Sequence, residues 1–263
     1  MTFSSPGPIL AELGPITIRW YGALIALGFY LALNYAIHLQ KQRSNPNYTN
    51  EEELQNFIFI LLLGGIIGAR TWFVILDWDY FSEHLIEAPQ IWLGGISIQG
   101  GLIGGIITAL IFFAKDLKKL AFNLSLTASA IPLAQAIGRW GNFFNEEAFG
   151  ETCDLPWKLY ISHTQTYHHP TFLYESITNL IIFFILFIYN KIFYKNTTEH
   201  DLRLIGTYIA LYSLVRFFIE AIRTDSLLIG GFRAAQLLSV LGVLVGLILV
   251  VLPLAFQEKF PKS

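Results

Sequence analysis

Arg216, Glu220 and Arg223 stand four and three residues apart in an otherwise apolar stretch. On a helix that spacing puts all three on one face. An Arg–Glu pair could simply neutralise itself there against a neighbouring helix. Two guanidiniums and one carboxylate, however, keep a surplus positive charge. A guanidinium is planar and offers two parallel N–H donors, which suits a phosphate. At the depth of an apolar helix the phosphate to hand is an anionic lipid headgroup. Further charges sit where they are expensive: Arg70 deep in one apolar segment, Glu175 early in another, and Arg139 and Glu147 just after a third. A charge at the centre of a spanning helix costs about 2.5–3.5 kcal/mol, so each needs a partner or a use.

Residues 138–150 read GRWGNFFNEEAFG. Gly138, Gly141 and Gly150 punctuate a run that holds Arg139, Asn142, Asn145, Glu146 and Glu147 beside Trp140, Phe143 and Phe144. A helix leaving the membrane needs only a glycine-marked cap. It does not need an Arg, two Asn and two Glu. Residues 93–107, LGGISIQGGLIGGII, carry six glycines, which weaken a helix. They permit close helix packing or a break that lines a cavity. Cys153 is the one cysteine, so no disulfide can form within the chain. His163, His168 and His169 lack the spacing of a helical metal site.

These groups need elements to hold them, and the composition says which. The chain has 263 residues, 54% of them hydrophobic and 14% charged, with a mean hydropathy of +0.53. A soluble domain carries about 25% charged residues. The polar surface is too small to cover a globule in water, so an integral membrane protein is expected. Net charge is -2 with no basic block, which excludes nucleic acid as a partner on electrostatic grounds.

A spanning helix needs about 20 mostly apolar residues. Seven segments qualify: 16–37, 54–76, 91–113, 120–137, 171–189, 204–222 and 232–256. The fourth is the weakest, since it includes Asn123, Pro132 and Gln135. No positive segment precedes the first apolar run, so that run is expected to remain as a spanning helix. Ten Lys and Arg between or after these spans fall on one side: Lys41, Arg43, Lys115, Lys118, Lys119, Lys191, Lys195, Arg203, Lys259 and Lys262. Four fall on the other: Arg139, Lys158, Arg223 and Arg233. The positive-inside rule makes the first side cytoplasmic. The expected fold is all-α, a single polytopic membrane domain over residues 1–263. It has about seven transmembrane helices, the N-terminus outside and the C-terminus in the cytoplasm. Its longest connection, residues 138–170, lies on the outer side. The four outer cations break the bias and ask for a reason.

GRWGNFFNEEAFG resembles the signature of the prolipoprotein diacylglyceryl transferases, a pattern of the form G-R-x-G-N-F-x-N-x-E-x-x-G. Other blocks agree in the same order: WYG (20–22), GGIIGAR (64–70), GGISIQGGLIGG (94–105), HPTFLYES (169–176) and RFFIEAIR (216–223). The resemblance runs from Trp20 to about Gln236. It implies transfer of the diacylglyceryl group of phosphatidylglycerol to the lipobox cysteine thiol of a bacterial prolipoprotein, with loss of glycerol phosphate. It also implies an active site toward the outer face of the inner membrane, among membrane lipids, with no metal or cofactor. The signal peptide of the prolipoprotein would be the second partner.

By the same resemblance Arg139 and Arg216 are the essential cations. Tyr21, Asn142, Glu147, Glu220 and Arg223 bind the headgroup or hold those cations. His169, Tyr174 and Glu175 fall in a matched block, and Arg70, Gln99 and Asn145 complete the candidate substrate-binding set. The chain departs from the family at Gln99, where many members carry a His regarded as a general base. A glutamine amide does not accept a proton at neutral pH. The nucleophilic thiol belongs to the substrate in this family, so Cys153 is a bystander. Two other readings remain from the residues alone: a secondary transporter, which also uses broken spans and intramembrane charge, and a non-catalytic subunit that holds phosphatidylglycerol.

Overall fold

The computed structural model describes residues 3–43 and 49–259. Lys262, counted above among the cytoplasmic charges, lies outside the described residues. The elements in chain order are β1 (Phe3–Ser4), β2 (Ile9–Leu13), β3 (Ile16–Arg19), α1 (Trp20–Gln42), α2 (Glu51–Leu76), α3 (Trp78–Glu83), α4 (Ile98–Phe112), α5 (Leu117–Asn145), β4 (Leu159–Ile161), β5 (Thr166–His168), α6 (Thr171–Ile192), α7 (Thr198–Ile222), β6 (Leu228–Ile229), β7 (Phe232–Arg233) and α8 (Ala234–Lys259). Six of the helices, α1, α2, α5, α6, α7 and α8, are long and apolar enough to cross a membrane. The protein is therefore mostly helical and polytopic.

Three sequence expectations shift. The all-α reading holds for the bulk of the chain but misses short strands: β4 pairs with β1 and β5, and β2–β3 and β6–β7 form hairpins. The first helix starts at Trp20, because residues 16–19 pair as a strand with residues 9–13. The third apolar segment opens with a single 3-10 turn, Ile91–Leu93, and is α-helical only from Ile98, because Gly94 and Gly95 take φ of +89° and +77°, which a right-handed helix does not allow. The 15-residue helix that remains is about 22 Å long at 1.5 Å per residue. The hydrocarbon core is about 30 Å.

The chain divides into two compact units, one made of Met1–His38 and Leu124–Ser263, the other of Leu39–Asn123. The fourth apolar segment becomes a 29-residue helix, α5, most of which lies in the first unit. Gln135, one of the residues that make it look weak as a span, accepts from the Tyr208 hydroxyl at 3.3 Å, and further polar groups are spent between helices. Ser125 Oγ donates to Asp201 Oδ1 at 2.7 Å, as does the Tyr194 hydroxyl at 3.1 Å. Asn190 Nδ2 donates to Ser129 Oγ at 3.1 Å. Trp140 Nε1 donates to Ser176 Oγ at 3.2 Å, and that hydroxyl donates to Ala136 O at 2.8 Å. Hydrogen bonds of this kind fix helix register where apolar burial cannot, since lipid is as apolar as the helix faces.

In the second unit, Asn50 caps α2 by accepting the Glu53 N–H at 2.7 Å. Glu51, Glu52 and Glu53 sit in the first turn, where the helix dipole favours negative charge. The glycines of α2 and α4 are a contact surface. A Cβ on Gly68 would lie 2.4 Å from Gly100 O, and one on Gly104 would lie 2.4 Å from Gly64 O. Side chains there would drive the helices apart.

Candidate active site

Glu175, in the early turns of α6, is the hub of a buried charge cluster. Its oxygens are held from three sides. Arg139 of α5 meets Oε2 through Nε at 2.9 Å. Arg216 of α7 donates from Nη1 to Oε1 at 2.6 Å, and Arg223 Nη1 lies 3.9 Å from the same oxygen. Arg216 Nη2 pairs with Glu220 Oε2 at 2.5 Å, so both of its terminal nitrogens are engaged. Among the described residues, no other carboxylate lies within ion-pair distance of Arg139. Its pairing uses Nε alone.

Glu175 is 4% exposed and Glu220 2%. Three guanidiniums face these two buried carboxylates, and the more exposed Asp225 pairs with Arg223, so the six charges balance. Removing either carboxylate would leave buried guanidiniums uncompensated, a change that commonly costs about 3–5 kcal/mol.

The glycine-marked signature builds the rim of this site. Trp20 stacks on Phe144 at 4.4 Å between ring centroids. The neighbouring Tyr21 ring occupies the space where a Cβ on Gly141 would stand, 2.5 Å from Tyr21 Cδ2. The first turn of α1 thus locks onto the last turns of α5. Past Asn145 the chain turns sharply through Glu146 and Ala148, at φ of +52° and +57°. The left-handed region costs a non-glycine residue about 1–2 kcal/mol. The corner is held by Glu147 N–H donating to Asn142 O at 3.1 Å and Gly150 N–H donating to His169 O at 3.0 Å, and by Thr171 Oγ1 donating to Ala148 O. Asn142 Nδ2 donates to Glu147 Oε1 at 2.8 Å, so these two candidates act as a pair. Asn145 Oδ1 is buried with no hydrogen-bond partner among the described residues. The Tyr174 hydroxyl accepts from Trp157 Nε1 at 3.0 Å and lies 3.3 Å from His169 Nδ1.

Arg223 closes on a residue not anticipated from the spacing. Its Nε and Nη2 donate to the two oxygens of Asp225 at 2.8 and 2.6 Å. Burial raises the Asp225 carboxyl, but the Arg223 fork outweighs it and holds the group below the usual carboxylate range. Arg233 was noted only as an outer-side exception. It meets the end of α7 through backbone carbonyls. Neither contact leaves a trace in helical periodicity, since both residues lie past the end of the helix.

Arg70 and Gln99 belong to the second unit. Arg70 spends four of its five N–H groups on backbone: Nε on Ala88 O at 2.6 Å, Nη1 on Gly94 O and Gly95 O at 2.6 and 2.7 Å, and Nη2 on Glu87 O at 2.7 Å. It shapes the segment that leads into α4. At the start of α4, Ser97 Oγ accepts the Gly100 N–H at 3.4 Å and donates to Gln99 Oε1 at 2.7 Å. The Gln99 carbonyl is thus occupied while its amide N–H groups remain to donate.

Fold and site together define a class: a polytopic helical membrane protein with a braced arginine cluster behind a glycine-marked rim. The family model for prolipoprotein diacylglyceryl transferase matches residues 8–252, and the chain belongs to this family. It is 44% identical over 259 residues to the phosphatidylglycerol–prolipoprotein diacylglyceryl transferase of Trichormus variabilis, covering 93% of this chain and 89% of that one. The protein of the same name from Acaryochloris marina is 41% identical, covering 94% and 90%. That of Thermotoga maritima is 40% identical, covering 89% and 80%.

Proposed function

We propose that this chain, as a single catalytic domain in the inner membrane, transfers the diacylglyceryl group of phosphatidylglycerol to the lipobox cysteine of a prolipoprotein, the first step of lipoprotein maturation. The observation that carries the reading is Glu175 bracing Arg139 and Arg216 within the signature blocks. The headgroup phosphate lies against the terminal nitrogens of Arg139. Arg216 and Arg223 supply further positive charge behind it. The substrate thiolate attacks the glycerol carbon that carries the phosphate ester. A C–S bond forms, the C–O bond breaks, and glycerol phosphate leaves with the electron pair. A free thiol has a pKa of about 8.5, and the nearby Arg139 guanidinium favours its ionised form. Water or Glu147 takes the thiol proton. Asn142, Asn145, Tyr21, His169 and Tyr174 line the headgroup. Arg70 contributes by shaping the approach to α4. A transporter would leave the mass of a test lipoprotein unchanged in cells supplied with this chain, as would a lipid-holding subunit. Transfer is expected to add one diacylglyceryl group.

In this reading α4 is the seventh crossing, the N-terminus faces outside and the cluster opens to the outer face. Single cysteines placed at Lys118 and Asn196 are expected to resist an impermeant thiol reagent in intact cells. One at Tyr160 is expected to react. Labelling at position 118 from outside would reverse the orientation.

Gln99 acts as a hydrogen-bond donor to headgroup or substrate backbone, not as a base. Gln99→His is expected to keep activity, since imidazole can also donate. Gln99→Leu is expected to slow single-turnover transfer by roughly one to three decades, the range for one lost donor. The pH–rate profile of the wild type is expected to follow thiol ionisation, with no step near the histidine value of about 6.5. A Gln99→Leu chain as fast as wild type would remove Gln99 from the site.

A further inference from the structure

Arg233 is an outer-side cation that the proposed chemistry leaves unused. It stands on β7 of the β6–β7 hairpin, directly before α8, and is half-buried. The hairpin turns through Gly230 and Gly231, at φ of +57° and +85°. Arg233 Nη1 donates to the carbonyl of Glu220, and to that of Arg223 at 3.1 Å. Its Nη2 lies 4.0 Å from Glu151 Oε1. One helical turn earlier, Gln236 Nε2 donates to Phe217 O at 3.3 Å.

α7 ends abruptly. Arg223 leaves the helix at φ −77° and ψ 146°, and the Thr224 N–H turns away to Phe149 O. The carbonyls of the last turn therefore lose the donors that a continuing helix would supply, although the Arg223 N–H still reaches Glu220 O at 3.3 Å. The Glu151 N–H meets Ile222 O at 2.8 Å, and Arg233 meets the Glu220 and Arg223 carbonyls. A cation at a helix C-terminus is also favoured by the helix dipole.

We propose that Arg233 is a positioning residue for the transfer reaction: hooked over the carbonyls of Glu220 and Arg223, it sets the turn that presents the Glu220 carboxylate to Arg216. The proposal rests on the transfer reading, in which Arg216 supplies positive charge behind the leaving phosphate. Releasing the hook lets the last turn of α7 shift, and with it the brace on Arg216. Misplacement of a catalytic group by about 1 Å can cost on the order of 100-fold in rate.

The test is steady-state transfer from phosphatidylglycerol vesicles to a lipobox peptide, with the chain in nanodiscs and its thermal unfolding followed in parallel. Arg233→Gln is expected to lower kcat about 10- to 100-fold with KM for phosphatidylglycerol within about threefold. Arg233→Lys keeps the dipole charge and can reach one carbonyl, so it is expected to recover part of that loss. In a Glu220→Gln background Arg233→Gln is expected to cost little more, because the brace it serves is already gone. An unchanged kcat would overturn the proposal, as would a raised KM with normal kcat, which would mean direct lipid contact. Full additivity with Glu220→Gln would also overturn it. If Arg233→Gln fails to fold while Arg233→Lys matches wild type, the residue serves stability alone and the proposal is wrong. A wild-type chain without transfer activity would overturn the transfer reading itself, before any variant is compared.

Discussion

Replacing Arg139 by Ala is expected to reduce single-turnover transfer at least 10²–10³-fold, with the protein still in the membrane. That is the cost of one lost donor at a developing negative charge, and here a full charge goes with it. Arg216→Ala is expected to fall as far for a different reason. Both terminal nitrogens of Arg216 are held by Glu175 and Glu220, so it contributes charge at a fixed place. The two sites separate in their response to Lys. At position 139 a Lys cannot supply the parallel pair of donors to phosphate, so rescue is expected to be poor. At position 216 a Lys cannot span two carboxylates, and Glu220 would lose its partner. If both Ala variants kept more than about a tenth of wild-type activity, far above the loss expected of such donors, neither residue would face the phosphate.

Glu175→Gln carries the second large effect, and its sign pattern is distinctive. Glu175 touches Arg139 and Arg216 at once and lies near Arg223. Neutralising it leaves the cluster with one uncompensated positive charge, so affinity for the anionic headgroup is expected to hold or to tighten. The guanidiniums lose the oxygens that aim them, so kcat is expected to fall about 100-fold, the scale of a misplaced catalytic group. Breaking a buried ion pair on one side commonly costs about 3–5 kcal/mol, so thermal unfolding in nanodiscs is expected to move to lower temperature. Glu175→Asp keeps the charge but shortens the arm, and is expected to lie between. A kcat loss with weakened headgroup binding would show Glu175 contacting substrate instead of bracing the arginines.

Much of this arrangement was legible in the residues. The spacing of Arg216, Glu220 and Arg223 is helical, and α7 does place Arg216 and Glu220 in contact. Intramembrane charge is costly enough to mark Arg139 and Glu175 without any geometry. What periodicity could not express was the pairing across helices. Nothing in the chain order says that Glu175 of α6 serves both Arg139 of α5 and Arg216 of α7. Hydropathy also undervalued α5, because Gln135 counts as polar whether it faces water or the Tyr208 hydroxyl. The glycines of residues 93–107 do two things that composition cannot separate. Gly94 and Gly95 hold back the start of α4 with positive φ, whereas Gly100 and Gly104 bring α4 against α2. Arg70, expected among the substrate-binding residues, gives four donors to the backbone ahead of α4, which no periodicity announces.

The central claim is a direct displacement in which the Arg139 side of the cluster stabilises the departing phosphate. The most direct measurement is a mass balance over one turnover, with purified chain in phosphatidylglycerol nanodiscs and one equivalent of lipobox peptide. The expected result is one glycerol phosphate released for each peptide thioether formed, at the same rate, with no lipid attached to the chain at any time, Cys153 included. The Arg139→Ala chain is expected to slow both products together. Release of glycerol phosphate ahead of the thioether, with a diacylglyceryl adduct on the chain, would contradict the account.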